Sequence, residues 1–158
     1  MSALKSVLLA IDLAIAQRDQ MAQDLMNAQQ DHQFAQDQMA QLQTYALETE
    51  SRWTARAQIG TTPEVMRHHY QFMDRLQHAV GLQSGALQST GHKAEMAKKC
   101  VLEAEFRLVS LKQVLKKKQS DLLLLQSRRA QKQMDEFASL SSSRAGAGYA
   151  AEAVSHEH

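Results

Sequence analysis

The side chains able to do chemistry are scattered along this 158-residue chain. His68 and His69 are neighbours, His156 and His158 lie near the end, and His32, His78 and His92 stand alone. A structural zinc site needs about four Cys, His or carboxylate ligands converging on one point, and no such spacing occurs. The single cysteine, Cys100, beside Lys98 and Lys99, has no internal partner for a disulfide and is read as structural or incidental. No Gly-rich phosphate loop ending in Lys-Ser/Thr is present, so the chain is not expected to hydrolyse ATP. Catalytic, cofactor-binding and metal-ligating residues are therefore all expected to be none, and the chain not to be an enzyme. What remains is charge and apolar surface. The most concentrated example is KKKQSDLLLLQSRRAQKQMDEFA, residues 116–138, where four leucines, Leu122 to Leu125, sit among Lys116, Lys117, Lys118, Arg128, Arg129 and Lys132.

Such a segment needs an element to carry it, and the composition allows one kind. With 1 Pro, 6 Gly and 5% aromatic residues, the chain has little material for turns or for an ordinary globular core. Its apolar residues are mostly Ala, Leu and Met, and Gln is abundant, which favours helix over strand. The longest apolar run, SVLLAIDLAIA, is broken by Asp12 and too short to cross a bilayer. There is no cleavable signal sequence, so a reducing cytosolic setting is expected. Charge is uneven: residues 1–55 hold seven Asp/Glu against three Lys/Arg, whereas residues 93–133 hold eleven Lys/Arg against four Asp/Glu. An acidic helix beside a basic one favours heterotypic pairing, although each exposed pair contributes little.

Stepping by three and four from Leu4 visits Val7, Ile11, Ala14, Arg18, Met21, Leu25, Ala28, His32, Ala35, Met39, Leu42, Ala46, Thr49 and Trp53 with no change of phase. A 3.5-residue apolar repeat sustained this long is a coiled-coil seam, predicting a helix over 3–56, ~80 Å long at 1.5 Å per residue. IGTTPEV then interrupts: Gly60 ends a helix, Thr61 or Thr62 caps the next, and Pro63 suits a first helical position. From Met66 the same stepping runs through His69, Met73, Leu76, Val80, Gln83, Leu87, Thr90 and on to Leu125, predicting a second helix over 63–139. Gly81, Gly85 and Gly91 weaken its middle by about 1 kcal/mol each relative to Ala, and mark either a bend or close helix contact. His32 is placed in the seam at some cost in stability. The predicted fold is all-α, a long antiparallel two-helix coiled coil over 1–140 with its turn at 57–62, followed by a disordered tail at 141–158 that lacks a periodic apolar face.

A turn centred near residue 59 sets residue i roughly opposite residue 118 − i. The first helix is then used up near residue 114, and the rest of the second overhangs as a single amphipathic helix. That helix, with Leu122 to Leu125, Met134 and Phe137, has no apolar partner inside the fold; it meets either another protein or a second copy. Near the turn, Gln38, Leu42, Tyr45 and Thr49, and likewise Phe72, Leu76, Ala79 and Gln83, follow i, i+4, i+7, i+11 spacing. Both sets spill sideways from the seam, either as a locally widened seam or as a part-exposed patch in which Tyr45 and Phe72 serve as aromatic anchors.

These segments resemble the FliJ family, the coiled-coil stalk of the flagellar type III export apparatus, which is related to injectisome stalk proteins. The sharpest likeness is Arg129 with QKQMDEFA, Gln131 to Ala138. Supporting stretches are QLQTY (Gln41 to Tyr45), Trp53, YQFMDRLQHAV (Tyr70 to Val80) and LLAIDLAIAQRDQ (Leu8 to Gln20). The resemblance implies a non-enzymatic stalk that binds the hexameric export ATPase, FliI, promotes its assembly, and couples it to the linker of the export gate, FlhA. It also implies contact with export chaperones, a cytoplasmic location peripherally attached to the membrane at the flagellar base, and no nucleic acid. By this likeness Leu122, Leu125, Arg129, Gln131, Lys132, Met134, Asp135, Glu136 and Phe137 would meet the ATPase. Gln38, Leu42, Tyr45, Phe72, Leu76 and Ala79 would meet the gate. Thr49 and Gln83 depart from the aromatic and the histidine expected there. Two other readings stay open on residues alone, a homo-oligomeric scaffold and a basic-helix nucleic-acid binder, although the basic run has no interleaved aromatics.

Overall fold

The computed structural model describes the backbone of residues 2–155 and the side-chain surroundings of residues 2–147. Two helices account for it, α1 (Ser2–Ile59) and α2 (Pro63–Ser155), packed against each other as an antiparallel coiled coil. Gly60 separates them at φ 126°, a left-handed conformation that side-chain-bearing residues rarely adopt. Thr62 then caps α2: its Oγ1 accepts a hydrogen bond from the Val65 N–H at 3.3 Å, and its carbonyl accepts one from Met66 N–H at 3.1 Å. Pro63, which has no N–H to satisfy, opens the helix.

The chain packs as two units, Asp12–Val109 and Met1–Ile11 with Ser110–His158. In the former, Ala14, Ala35 and Met39 of α1 and Leu76, Val101, Ala104 and Leu108 of α2 are buried. Three of these seven are alanines, so the core is thin. Every position of the three-and-four stepping over this stretch of α1, and from His69 onward on α2, is buried or half-buried; Met66 is exposed. In the latter unit Ile11 is buried, and Leu4, Val7, Leu111, Leu115 and Leu122 are half-buried.

Three features differ from expectation. Cross-helix partners are His32 with Thr90, Gln83 with Ala35 and Gln38, Tyr45 with Phe72, and Trp53 with His69. They lie up to ~4 residues, about one helical turn, from the register that a turn centred at residue 59 implies. Coverage of α2 accordingly extends to Leu122, which lines a groove with Ala3, Leu4, Lys118 and Leu125, so the overhang begins later than residue 114. Second, α2 runs on to Ser155 rather than 139. No proline stops it, and Ala145, Ala147, Ala150 and Ala151 are strong helix formers. Of the tail expected at 141–158, residues 156–158, with His156 and His158, lie outside the described residues. Third, the heterotypic pairing favoured by the opposed charges of the helices is not carried by salt bridges among the described residues, where Arg18–Asp19 at 2.9 Å and Arg52–Glu48 at 3.8 Å both lie within α1.

Candidate functional site

The end of α2 is exposed at every residue over 123–147, with Leu125 alone bordering the groove against the start of α1 among the described residues. Leu123, Leu124, Leu125, Met134, Phe137 and Leu140 stand out in solvent, Phe137 at 74%. Ala130, Gln133, Met134, Phe137 and Ala138 line one shallow groove on this helix, and Phe137, Leu140, Ser141 and Arg144 line the next. The i, i+4, i+7 spacing of Ala130, Met134 and Phe137 makes one apolar stripe. Gln131 donates to Asp135 Oδ1 at 3.1 Å across one turn, which stiffens the polar side. Of the residues expected to meet a ring partner, Leu125, Arg129, Gln131, Lys132, Met134, Asp135, Glu136 and Phe137 lie on this exposed helix; Leu122 is instead half-buried against the start of α1.

The near-turn residues all lie in the Asp12–Val109 unit, and Gln38, Leu42 and Tyr45 share one groove there. Tyr45 and Phe72 touch edge to face, with ring centroids 5.9 Å apart and planes at 76°, a favoured aromatic geometry. They are 48% and 37% exposed, so the pair is packed on one side and open on the other. Leu76 is buried and lines a groove with Met73 and Val80 instead, Leu42 and Ala79 are half-buried, and Gln38 is exposed. Gln38, Gln41, Leu42, Tyr45 and Gln83 line an open groove of about 540 Å³. Thr49 is half-buried in the seam. Gln83 is drawn inward: its Nε2 donates to the Ala35 carbonyl at 2.8 Å and to Gln38 Oε1 at 3.3 Å.

Periodicity did not reveal two further features. Elsewhere in this unit Gln43, Ala46, Leu47, Met73, Val80 and Gly81 help line a larger groove of about 610 Å³. It is open because Ala46 and Gly81 are small. Trp53 and His69 stack face to face, with centroids 4.1 Å apart and planes at 7°. An aromatic-to-histidine layer of this kind is visible in a sequence only once the register is known.

The model of the flagellar FliJ protein family matches residues 1–147. The chain belongs to the FliJ family. No curated protein matches the sequence. FliJ is a non-catalytic component of the flagellar export apparatus, and membership places this chain in flagellum biogenesis and protein export. Among the described residues, no helix is long and apolar enough to cross a membrane, and no group of His, Cys, Asp and Glu is placed to hold a metal ion.

Proposed function

We propose that this FliJ chain is a stalk between the export ATPase ring and the export gate. The observation that carries this reading is the exposed helix over 123–147, where Leu123, Leu124, Met134, Phe137 and Leu140 are exposed among the described residues. An apolar helix face of this size calls for a partner. In a FliJ chain that partner is the hexameric ATPase FliI, with Arg129, Lys132, Met134 and Phe137 as the main contacts. The Tyr45–Phe72 edge, with Gln38, Leu42, Leu76 and Ala79, meets the FlhA linker. Association with the cytoplasmic face of the membrane is peripheral and runs through the gate, and export chaperones are escorted on the same protein.

The mechanism asks for binding and no covalent step. A stalk that contacts successive ring states with different affinity shifts the populations of those states and so biases assembly and nucleotide turnover. The test compares ATPase turnover and hexamer assembly of the matching FliI with full-length protein and with a version truncated after Leu125, which keeps the Leu4–Leu122 groove. Stimulation lost on truncation supports the ring contact. Equal stimulation by both versions refutes it. Self-association of the full-length chain alone, abolished by the same truncation, would move overhang pairing between two copies to the front.

A further inference from the structure

Side-chain hydrogen bonds join α1 to α2 in a short zone, residues 32–38 facing 83–90. His32 Nδ1 and Thr90 Oγ1 are 2.9 Å apart. Thr90 spends its one hydroxyl proton on its own helix, on the Ala86 carbonyl at 2.8 Å, so it accepts from the imidazole. The second ring nitrogen, Nε2, lies 3.2 Å from Gln36 Nε2, an amide donor. These contacts assign His32 as the Nδ1–H tautomer with both nitrogens satisfied. The ring also needs room: a Cβ at Gly91 would come within 3.2 Å of His32 Cε1, whereas one at Gly81 or Gly85 would meet nothing within 4 Å. One helical turn away, Gln83 bonds the Ala35 carbonyl and Gln38.

We infer that His32, Thr90, Gly91 and Gln83 form a register clasp, a set of positioning residues that select one alignment of α1 against α2. The neighbouring seam, Leu25, Ala28, Ala94, Ala97 and Val101, is apolar and small, so it discriminates poorly between alignments one heptad apart. The turn is a weak constraint as well. Residues 54–68 are all exposed, so unwinding there to lengthen the turn sacrifices little packing. The clasp does discriminate. A one-heptad shift brings Ala97 or Gln83 opposite His32 and sets Lys98 or Ser84 where Gly91 was, so the ring meets a Cβ in either direction. Polar seam positions of this kind trade stability for a unique alignment. The clasp adjoins the Tyr45–Phe72 edge and bonds Gln38 directly, so that edge exists as a surface only in the selected register. This holds whichever partner the edge binds.

Paired cysteines in a Cys100→Ser background test the inference. Ala28→Cys with Ala94→Cys reports the native alignment, and Ala28→Cys with Val101→Cys or with Leu87→Cys reports the two shifted ones. In the otherwise native chain only the first pair is expected to oxidise efficiently. Combining His32→Leu, Thr90→Val and Gly91→Ala should preserve helix content and raise shifted-pair yield relative to the native pair by about tenfold or more, the scale expected when an unpaired polar group no longer penalises the slip. Thr90→Ser, which keeps the hydroxyl, should retain the native pattern. Unchanged cross-linking in the folded triple variant overturns the clasp. So does slippage in Thr90→Ser equal to that of the triple variant, or loss of helix in the triple variant, because apolar replacements in an apolar seam should hold the helices together.

Discussion

His32 illustrates how little a residue type reveals without its neighbours. At a seam position a histidine is costly when its nitrogens lack partners, yet here Thr90, Gln36 and the bare Cα of Gly91 accommodate it. The three glycines in the middle of α2, Gly81, Gly85 and Gly91, consequently differ. Gly81 and Gly85 face open space, so replacing each with alanine should stabilise the protein by roughly 0.5–1 kcal/mol through helix propensity alone. Gly91→Ala gains the same propensity but presses a methyl group against the imidazole, and its net effect should be near zero or destabilising. Thermal unfolding of the three single variants checks this; a Gly91→Ala gain equal to the others would remove the close approach from the account. Leu108, only 3% exposed, lies at the other extreme. Its truncation to alanine should cost about 2–4 kcal/mol, measured by urea denaturation.

At the level of the helices, local chemistry and long-range register part company. Thr62 and Pro63 start α2 where their residue types place a helix start, and Thr62→Ala should cost about 0.5–1 kcal/mol, at the low end for a cap because the Oγ1 to Val65 N distance is a long 3.3 Å. An unchanged denaturation midpoint would mean that the cap is ornamental. The seam could likewise be read from spacing, since a 3.5-residue repeat states which side of a helix is shielded. Spacing cannot state what each position faces. The partner of His32, the inward turn of Gln83, the Trp53–His69 stack and the inclusion of Leu122 in the paired region all depend on the phase of one helix against the other, which is set by packing at each layer. Helix length past residue 139 was hidden for another reason: no periodic apolar pattern marks the sequence there, residues 140–147 are all exposed, and only the alanines and the lack of proline favour it. In the overhang, burial and function separate cleanly. Met134→Ala with Phe137→Ala removes groups that are mostly exposed, so the melting temperature should hold within a degree or two while stimulation of FliI falls severalfold. A large loss of stability in that variant would show that these side chains are covered in solution.

Across the whole chain, a near-neutral net charge of +1 conceals an acidic α1 and a basic stretch of α2, and the basic stretch leads directly into the exposed leucines and Phe137. Two kinds of partner fit such a surface, and salt separates them. A phosphate backbone held by the lysines and arginines of residues 112–132 would be released steeply, because each contact returns counterions to solution; a protein making 6–10 such contacts loses about 10³–10⁵ in affinity between 50 and 200 mM salt. A protein groove that covers Leu123, Met134 and Phe137 gains most of its free energy from apolar area, on which salt acts little, while the cations mainly steer the encounter. Binding of FliI should therefore weaken by less than about tenfold over the same salt range, with the loss falling on the association rate. Lys132→Ala should reduce that salt dependence without abolishing binding, and Phe137→Ala should raise the dissociation rate at every salt concentration. Titration of labelled full-length chain with FliI at several NaCl concentrations measures all of these. A loss of two orders of magnitude or more by 200 mM would instead assign the overhang to charge recognition, leaving its apolar stripe without a role in the ring.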